Sequence, residues 1–150
     1  PTPPPARPPP SAGYAVRRVL HTLQGMAPDA TLIATDTNED FTKYLTRKFH
    51  DSRLRAVTGS AADVREIIAD CGFEHADYVL SGLPFSTLPP GLAPTIAEQT
   101  YEALRPGGAF LVYQFRPKVR DYMAPYFKRI EKGFEWANVP PCHLFWGYKD

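Results

Sequence analysis

An acidic residue at the end of a short apolar run can hold a sugar. The run Leu32-Ile33-Ala34-Thr35 leads into Asp36, and a carboxylate there accepts two hydrogen bonds from a vicinal diol. In nucleoside-binding α/β folds, an acid at the tip of the second strand takes the ribose hydroxyls. The competing reading is that Asp36 only caps the helix that follows. A second stretch, Ala76 to Leu80, runs into Ser81-Gly82-Leu83-Pro84-Phe85. Gly82 lets a backbone approach a ligand closely, Pro84 stiffens the turn, and Phe85 can cover an apolar substrate. The plainer reading is a strand exit with a packing phenylalanine. A third stretch, Leu104-Arg105-Pro106-Gly107-Gly108, turns a helix into the apolar run from Ala109. His21, His50, His75 and His143 show no ligand spacing, nor do Cys71 and Cys142, so no metal is expected.

The elements that must place these residues alternate. Val16, Val19, Leu20 and Leu23 fall at helical spacing within Tyr14–Gln24, ahead of Gly25 and Pro28. Thr31–Thr35 reads as a strand. Asn38, Glu39 and Asp40 open an acidic first turn of a helix carrying Phe41, Tyr44, Leu45 and Phe49. Leu54–Thr58 is the next strand, Asp63–Cys71 a helix ended by Gly72, and Ala76–Leu80 a strand. Thr95–Leu104 is a helix, Ala109–Phe115 a central strand, Tyr122–Lys132 a last amphipathic helix and His143–Tyr148 an aromatic strand. Strands alternating with helices mean crossover units: an α/β fold with a mostly parallel sheet covered on both faces. Short apolar strands without polar alternation agree with that.

Composition narrows the function. The 150 residues allow one domain. With 17 Lys and Arg against 16 Asp and Glu, the net charge of +1 excludes a polybasic nucleic-acid platform. Seven prolines fill PTPPPARPPP, which cannot form a helix or a ladder strand. Residues 1–10 therefore read as a disordered or polyproline II tail, with Pro5-x-x-Pro8 a weak match to an SH3-type ligand, and 11–150 as the folded domain. A first residue other than Met reads as a fragment or processed product. No run of 18 apolar residues spans a membrane, and the N-terminus lacks the pattern of a signal peptide. Two distant cysteines fit a reducing, cytoplasmic setting.

The order Asp36, Gly59-Ser60-Ala61, Ser81-Gly82-Leu83-Pro84-Phe85 and Leu104-Arg105-Pro106-Gly107-Gly108 resembles the Rossmann-like S-adenosylmethionine-dependent methyltransferases. The Ser-Gly-Leu-Pro loop is similar to that of bacterial phospholipid N-methyltransferases, as is Asn138-Val139-Pro140-Pro141 before an aromatic strand. Their relatives, the ribosomal RNA adenine dimethylases, carry Asn where this chain has Ser81. The resemblance covers roughly residues 13–149, and only the Ser-Gly-Leu-Pro loop is moderately specific within it. It implies a three-layer Rossmann-like sandwich with S-adenosyl-L-methionine as cofactor. Asp36 would hold the ribose, Ser60 and Ala61 would border the adenine, and Thr37 and Gly13 would also be cofactor-binding residues. Ser81, Gly82, Leu83, Pro84 and Phe85 would line the methyl-transfer site.

One departure stands out. The family begins with a strand and a Gly-x-Gly-x-Gly turn, which here falls on Pro9-Pro10-Ser11-Ala12-Gly13. Only Gly13 survives, and prolines remove amide donors, so the first strand is expected to be absent and the cofactor site incomplete. Three functions follow. The first is methylation of the amine of phosphatidylethanolamine or a related lipid at a membrane surface. The residues Arg116, Lys118, Arg120, Tyr122, Tyr126, Phe127, Lys128 and Arg129 would there form a basic aromatic helix lying on anionic lipid. The second is methylation of an RNA adenine stacked on Phe85, disfavoured by the near-neutral charge and the missing Asn. The third is a catalytically impaired remnant.

Overall fold

Apolar residues three and four apart build the first helix, α1 (Ala12–Gly25), and turn Leu23 inward at 4% exposure. The computed structural model describes residues 12–114, 118–135 and 142–150. The chain divides into two units, Pro1–Ser60 and Ala61–Asp150.

In the first unit, α1 is followed by β1 (Leu32–Asp36), α2 (Glu39–Lys48) and β2 (Leu54–Thr58). β1 and β2 pair in parallel from Leu32↔Leu54 to Asp36↔Thr58, with α2 as the crossover between them. Thr42 and Thr58 share a hydroxyl hydrogen bond of 2.7 Å that ties α2 to β2. Leu45 is the deepest side chain here at 1% exposure. The carbonyls at the end of α1 lack helical donors, and Arg53 supplies them. Its guanidinium donates to the carbonyls of Leu23 at 2.9 Å and Met26 at 3.0 Å, placing a cation where the helix dipole favours one. Asp51 grips the other side of Arg53 at 2.8 and 3.0 Å, and that hydrogen bonding lowers its carboxyl to about 2.

The second unit is a four-stranded sheet with helices. After a 3-10 turn at Ala61–Asp63 come α3 (Val64–Asp70), β3 (Ala76–Ser81), a 3-10 turn at Phe85–Thr87, α4 (Leu92–Ala103) and β4 (Leu104–Gln114). α5 (Val119–Met123), β5 (Arg129–Glu135) and β6 (Cys142–Tyr148) complete it. The strand order is β3-β4-β6-β5. β3 and β4 are parallel, whereas β6 runs antiparallel to both neighbours. Gly72 closes the α3 segment at φ +89°, a left-handed conformation that glycine adopts freely. One core joins Phe85, Ile96, Leu104, Phe110, Val112, Val119, Met123, Phe127 and Phe145.

Three expectations change. Tyr122–Lys132 is not a helix. Val119, Met123 and Phe127 do keep a four-residue spacing, and all are 1% exposed or less, but α5 ends at Met123. Beyond Lys128 the chain extends, because Ile130 and its neighbours pair with β6 from Arg129↔Tyr148 onward. The basic aromatic helix therefore does not form: Lys118, Arg120 and Tyr122 belong to or flank α5, Tyr126 to Lys128 to a turn region, and Arg129 to a strand. The Pro-Gly-Gly segment, finally, is a bulge inside β4. The register steps from Ala76↔Leu104 to Tyr78↔Ala109, and Gly107 N–H donates to the Lys149 carbonyl at 2.8 Å, so the end of β6 holds the bulge in the sheet. The polyproline expectation for residues 1–10, Arg116 and the segment 138–141 lie outside the described residues.

Candidate functional site

Asp36 ends β1, so its side chain stands at the carboxyl end of a parallel pair, where ligands collect in open α/β folds. Its Oδ1 accepts from Asn38 N–H at 2.8 Å. Asn38, not Asp36, caps α2: its Oδ1 accepts from Asp40 N–H at 2.9 Å and Phe41 N–H at 3.4 Å. The capping reading of Asp36 is thereby removed. Oδ2 of Asp36 has no partner among the described residues, which leaves a carboxylate oxygen for a sugar hydroxyl. Thr37 is exposed beside it. Gly59 N–H donates to the Asp36 carbonyl at 3.0 Å, holding the exit of β2, and with it Ser60, at the same end of the strand pair. Gly13 lies in the first turn of α1. Ala61 opens the second unit in a 3-10 turn.

The loop after β3 is built from within the second unit. Ser81 ends the strand, and its Oγ accepts from Leu83 N–H at 3.3 Å. Leu83 carbonyl accepts from Phe85 N–H at 2.9 Å, and Pro84 carbonyl accepts from Thr87 N–H at 2.9 Å. Gly82 lies against Tyr113: a Cβ at position 82 would run into the Tyr113 hydroxyl and ring. Phe85 points inward, is 2% exposed, and stacks on Tyr122 at 6.3 Å between centroids. It anchors the loop from beneath and offers no face for stacking.

Two residues absent from the sequence reading grip this loop, Tyr113 and Gln114. Gln114 Oε1 accepts from Phe85 N–H at 3.3 Å, and its Nε2 donates to the carbonyls of Leu83 and Tyr113. The signal was there: an amide at the end of Phe110-Leu111-Val112-Tyr113 is a polar side chain in an otherwise buried strand, and such residues have partners. Among the described residues, no group of three or more His, Cys, Asp and Glu is placed to hold a metal ion. No described helix is long and apolar enough to cross a membrane.

No family model matches the chain. The ornithine lipid N-methyltransferase of Singulisphaera acidiphila is 28% identical over 120 residues, or 79% of this chain. The chain spans 62% of that relative's length. Precorrin-6y C5,15-methyltransferase from Geobacter metallireducens superposes with a TM-score of 0.67 at 12% identity, covering 92% of this chain and 77% of that one. A Streptococcus mutans protein assigned to the methyltransferases, in complex with SAH, superposes with a TM-score of 0.61 at 13% identity, covering 89% and 83%. The fold of this chain is that of the Rossmann-like methyltransferases.

Proposed function

We propose that this chain transfers a methyl group from S-adenosylmethionine to the amine of a lipid headgroup, phosphatidylethanolamine or a related aminolipid. The observation that carries this reading is the Ser81–Phe85 loop, held rigid at the carboxyl end of β3 with a hydroxyl at its start. The similarity to an ornithine lipid N-methyltransferase supports an aminolipid as the class of substrate. One observation supports the cofactor: Asp36 Oδ2 has no partner among the described residues and is available to a ribose hydroxyl. Thr37 and Ser60, at the same end of the β1–β2 pair, are the further candidates to border the nucleoside.

When bound, the cofactor would supply a sulfonium methyl, to which the amine lone pair forms a C–N bond as the C–S bond breaks, with S-adenosylhomocysteine leaving and the nitrogen's extra proton passing to solvent. Such a displacement needs an unprotonated, aligned nitrogen more than a strong acid or base. Ser81 Oγ receives one donor from Leu83, and a hydroxyl has a second lone pair and its own proton. It can accept an N–H of the amine and turn the nitrogen's lone pair toward the methyl group. A lipid substrate also places the chain at a membrane surface while it works.

The test is direct. Purified chain is mixed with the cofactor and vesicles of phosphatidylethanolamine, and methylated lipid is measured. Methylation is expected there and not with phosphatidylcholine, whose quaternary nitrogen has no lone pair. Calorimetry with S-adenosylhomocysteine is the companion measurement. No heat and no rise in melting temperature at about 1 mM ligand would remove the reading. The adenine alternative loses its stacking surface, because Phe85 is buried in the core. Salt-dependent binding of an RNA hairpin would restore it.

A further inference from the structure

The end of β4 lies beside the loop that leaves β3. The two strands are parallel and their last register pair is Ser81↔Val112, so Tyr113 and Gln114 stand level with Gly82 and Leu83. Successive strand side chains face opposite sides of a sheet. Tyr113 therefore meets the loop from one face, against Gly82, and Gln114 from the other.

Gln114 is 8% exposed, and its amide meets three backbone groups. Two are carbonyls, of Leu83 and Tyr113, and one is the N–H of Phe85. Only one orientation of the amide matches them, with Nε2 toward the carbonyls and Oε1 toward the N–H. Loop backbone buried away from water needs such partners. The Leu83 carbonyl, committed to Gln114 and Phe85, fixes the Leu83–Pro84 peptide and so holds Leu83 in place, and the N–H of that same residue donates to the Ser81 hydroxyl.

We propose that Gln114 is a positioning residue for methyl transfer, fixing through Leu83 the direction in which Ser81 presents its hydroxyl to the acceptor amine. The inference rests on the aminolipid reading. Gln114 acts on the acceptor side, so its loss lowers kcat and spares cofactor binding. A neutral carboxyl could replace the amide in part, since its single proton can serve the Leu83 carbonyl while its other oxygen accepts from Phe85 N–H. A carboxylate could not, because it would face two carbonyls with no proton to give. Burial and those carbonyls raise the pKa of such a carboxyl, so a glutamate works at low pH and fails as pH rises.

The experiment compares the full chain with Gln114→Leu and Gln114→Glu on phosphatidylethanolamine vesicles. Gln114→Leu is expected to lose about 100-fold in kcat, while the KM for cofactor and the affinity for S-adenosylhomocysteine stay within about twofold. The ratio of Gln114→Glu to wild-type kcat is expected to fall as pH rises from about 6 to about 9, at temperatures where both remain folded. A Gln114→Leu enzyme with wild-type kcat overturns the inference and leaves the aminolipid reading standing. A pH-independent ratio for Gln114→Glu, or a parallel loss of S-adenosylhomocysteine affinity, also overturns it. A wild-type chain that methylates no aminolipid removes the reading, and this inference with it.

Discussion

The tips of β1 and β3 are held by opposite means. At β1, the side chains of Asp36 and Asn38 each accept from an N–H two residues ahead, so the side-chain bonds of the tip come from its own sequence neighbours, and the distant Gly59 N–H reaches only the Asp36 backbone carbonyl. At β3, the loop is held by Gln114, 29 to 31 residues away, by Tyr113 against Gly82, and by Phe85 sunk into the core. The units differ in the same sense. Among described residues, the first unit buries only Leu23, Thr42 and Leu45, whereas the second buries a continuous aromatic and aliphatic cluster. A locally made tip tolerates change around it. A tip made by distant contacts is rigid, and it fails when any one of them is removed.

Substitutions can break this contrast. Gly82→Val should have the largest effect, because the side chain occupies the space of the Tyr113 ring. A loss of more than about 100-fold in methyl transfer is expected, with partial recovery in a Gly82→Val/Tyr113→Ala double variant. Recovery absent from the double variant would mean that the clash is not what matters at Gly82. Phe85→Ala opens a cavity at a site 2% exposed and should destabilise by about 3–5 kcal/mol in denaturant unfolding. A cost under about 1 kcal/mol would show the loop is not anchored there.

The β1 tip should respond more gently. Asp36→Asn removes the charged acceptor proposed for the ribose and should weaken S-adenosylhomocysteine binding by about 1.5–3 kcal/mol in calorimetry, with little change in melting temperature. Asn38→Ala removes the α2 cap and should cost about 1 kcal/mol of stability, while the affinity that depends on Asp36 drops only slightly. A large loss of affinity in Asn38→Ala would show that the tip is not independent of its helix.

The smallest effect is a titration. Asp51 is held at about 2 by its hydrogen bonds with Arg53. The folded state thus favours the ionised carboxyl, so its contribution is present above the ordinary carboxylate range and fades as pH falls toward 2. NMR titration of Arg53→Gln should raise the Asp51 midpoint only part of the way toward about 4, because the backbone N–H of residue 53 still donates to Asp51 Oδ1. An unchanged midpoint would show that Arg53 is not the cause.

What the sequence determined by itself was whatever nearest neighbours decide. Apolar spacing placed α1 and α2, Gly72 marked the end of α3, and the apolar run into Asp36 marked a strand tip, because helix period, caps and strand ends are set within a few residues. The alternation of strands and helices was enough for the α/β class and its parallel pairs. Only the tertiary structure decided the rest. Residues 129–135 became a strand because β6 was there to pair with them, although the preceding Val119, Met123 and Phe127 keep helical spacing. Phe85 became an anchor once the core had room for its ring. Gln114 became the grip on the loop after β3 because parallel pairing set β4 beside β3. Each of these depends on a partner distant in sequence, and local periodicity carries no record of which distant residue a side chain will meet.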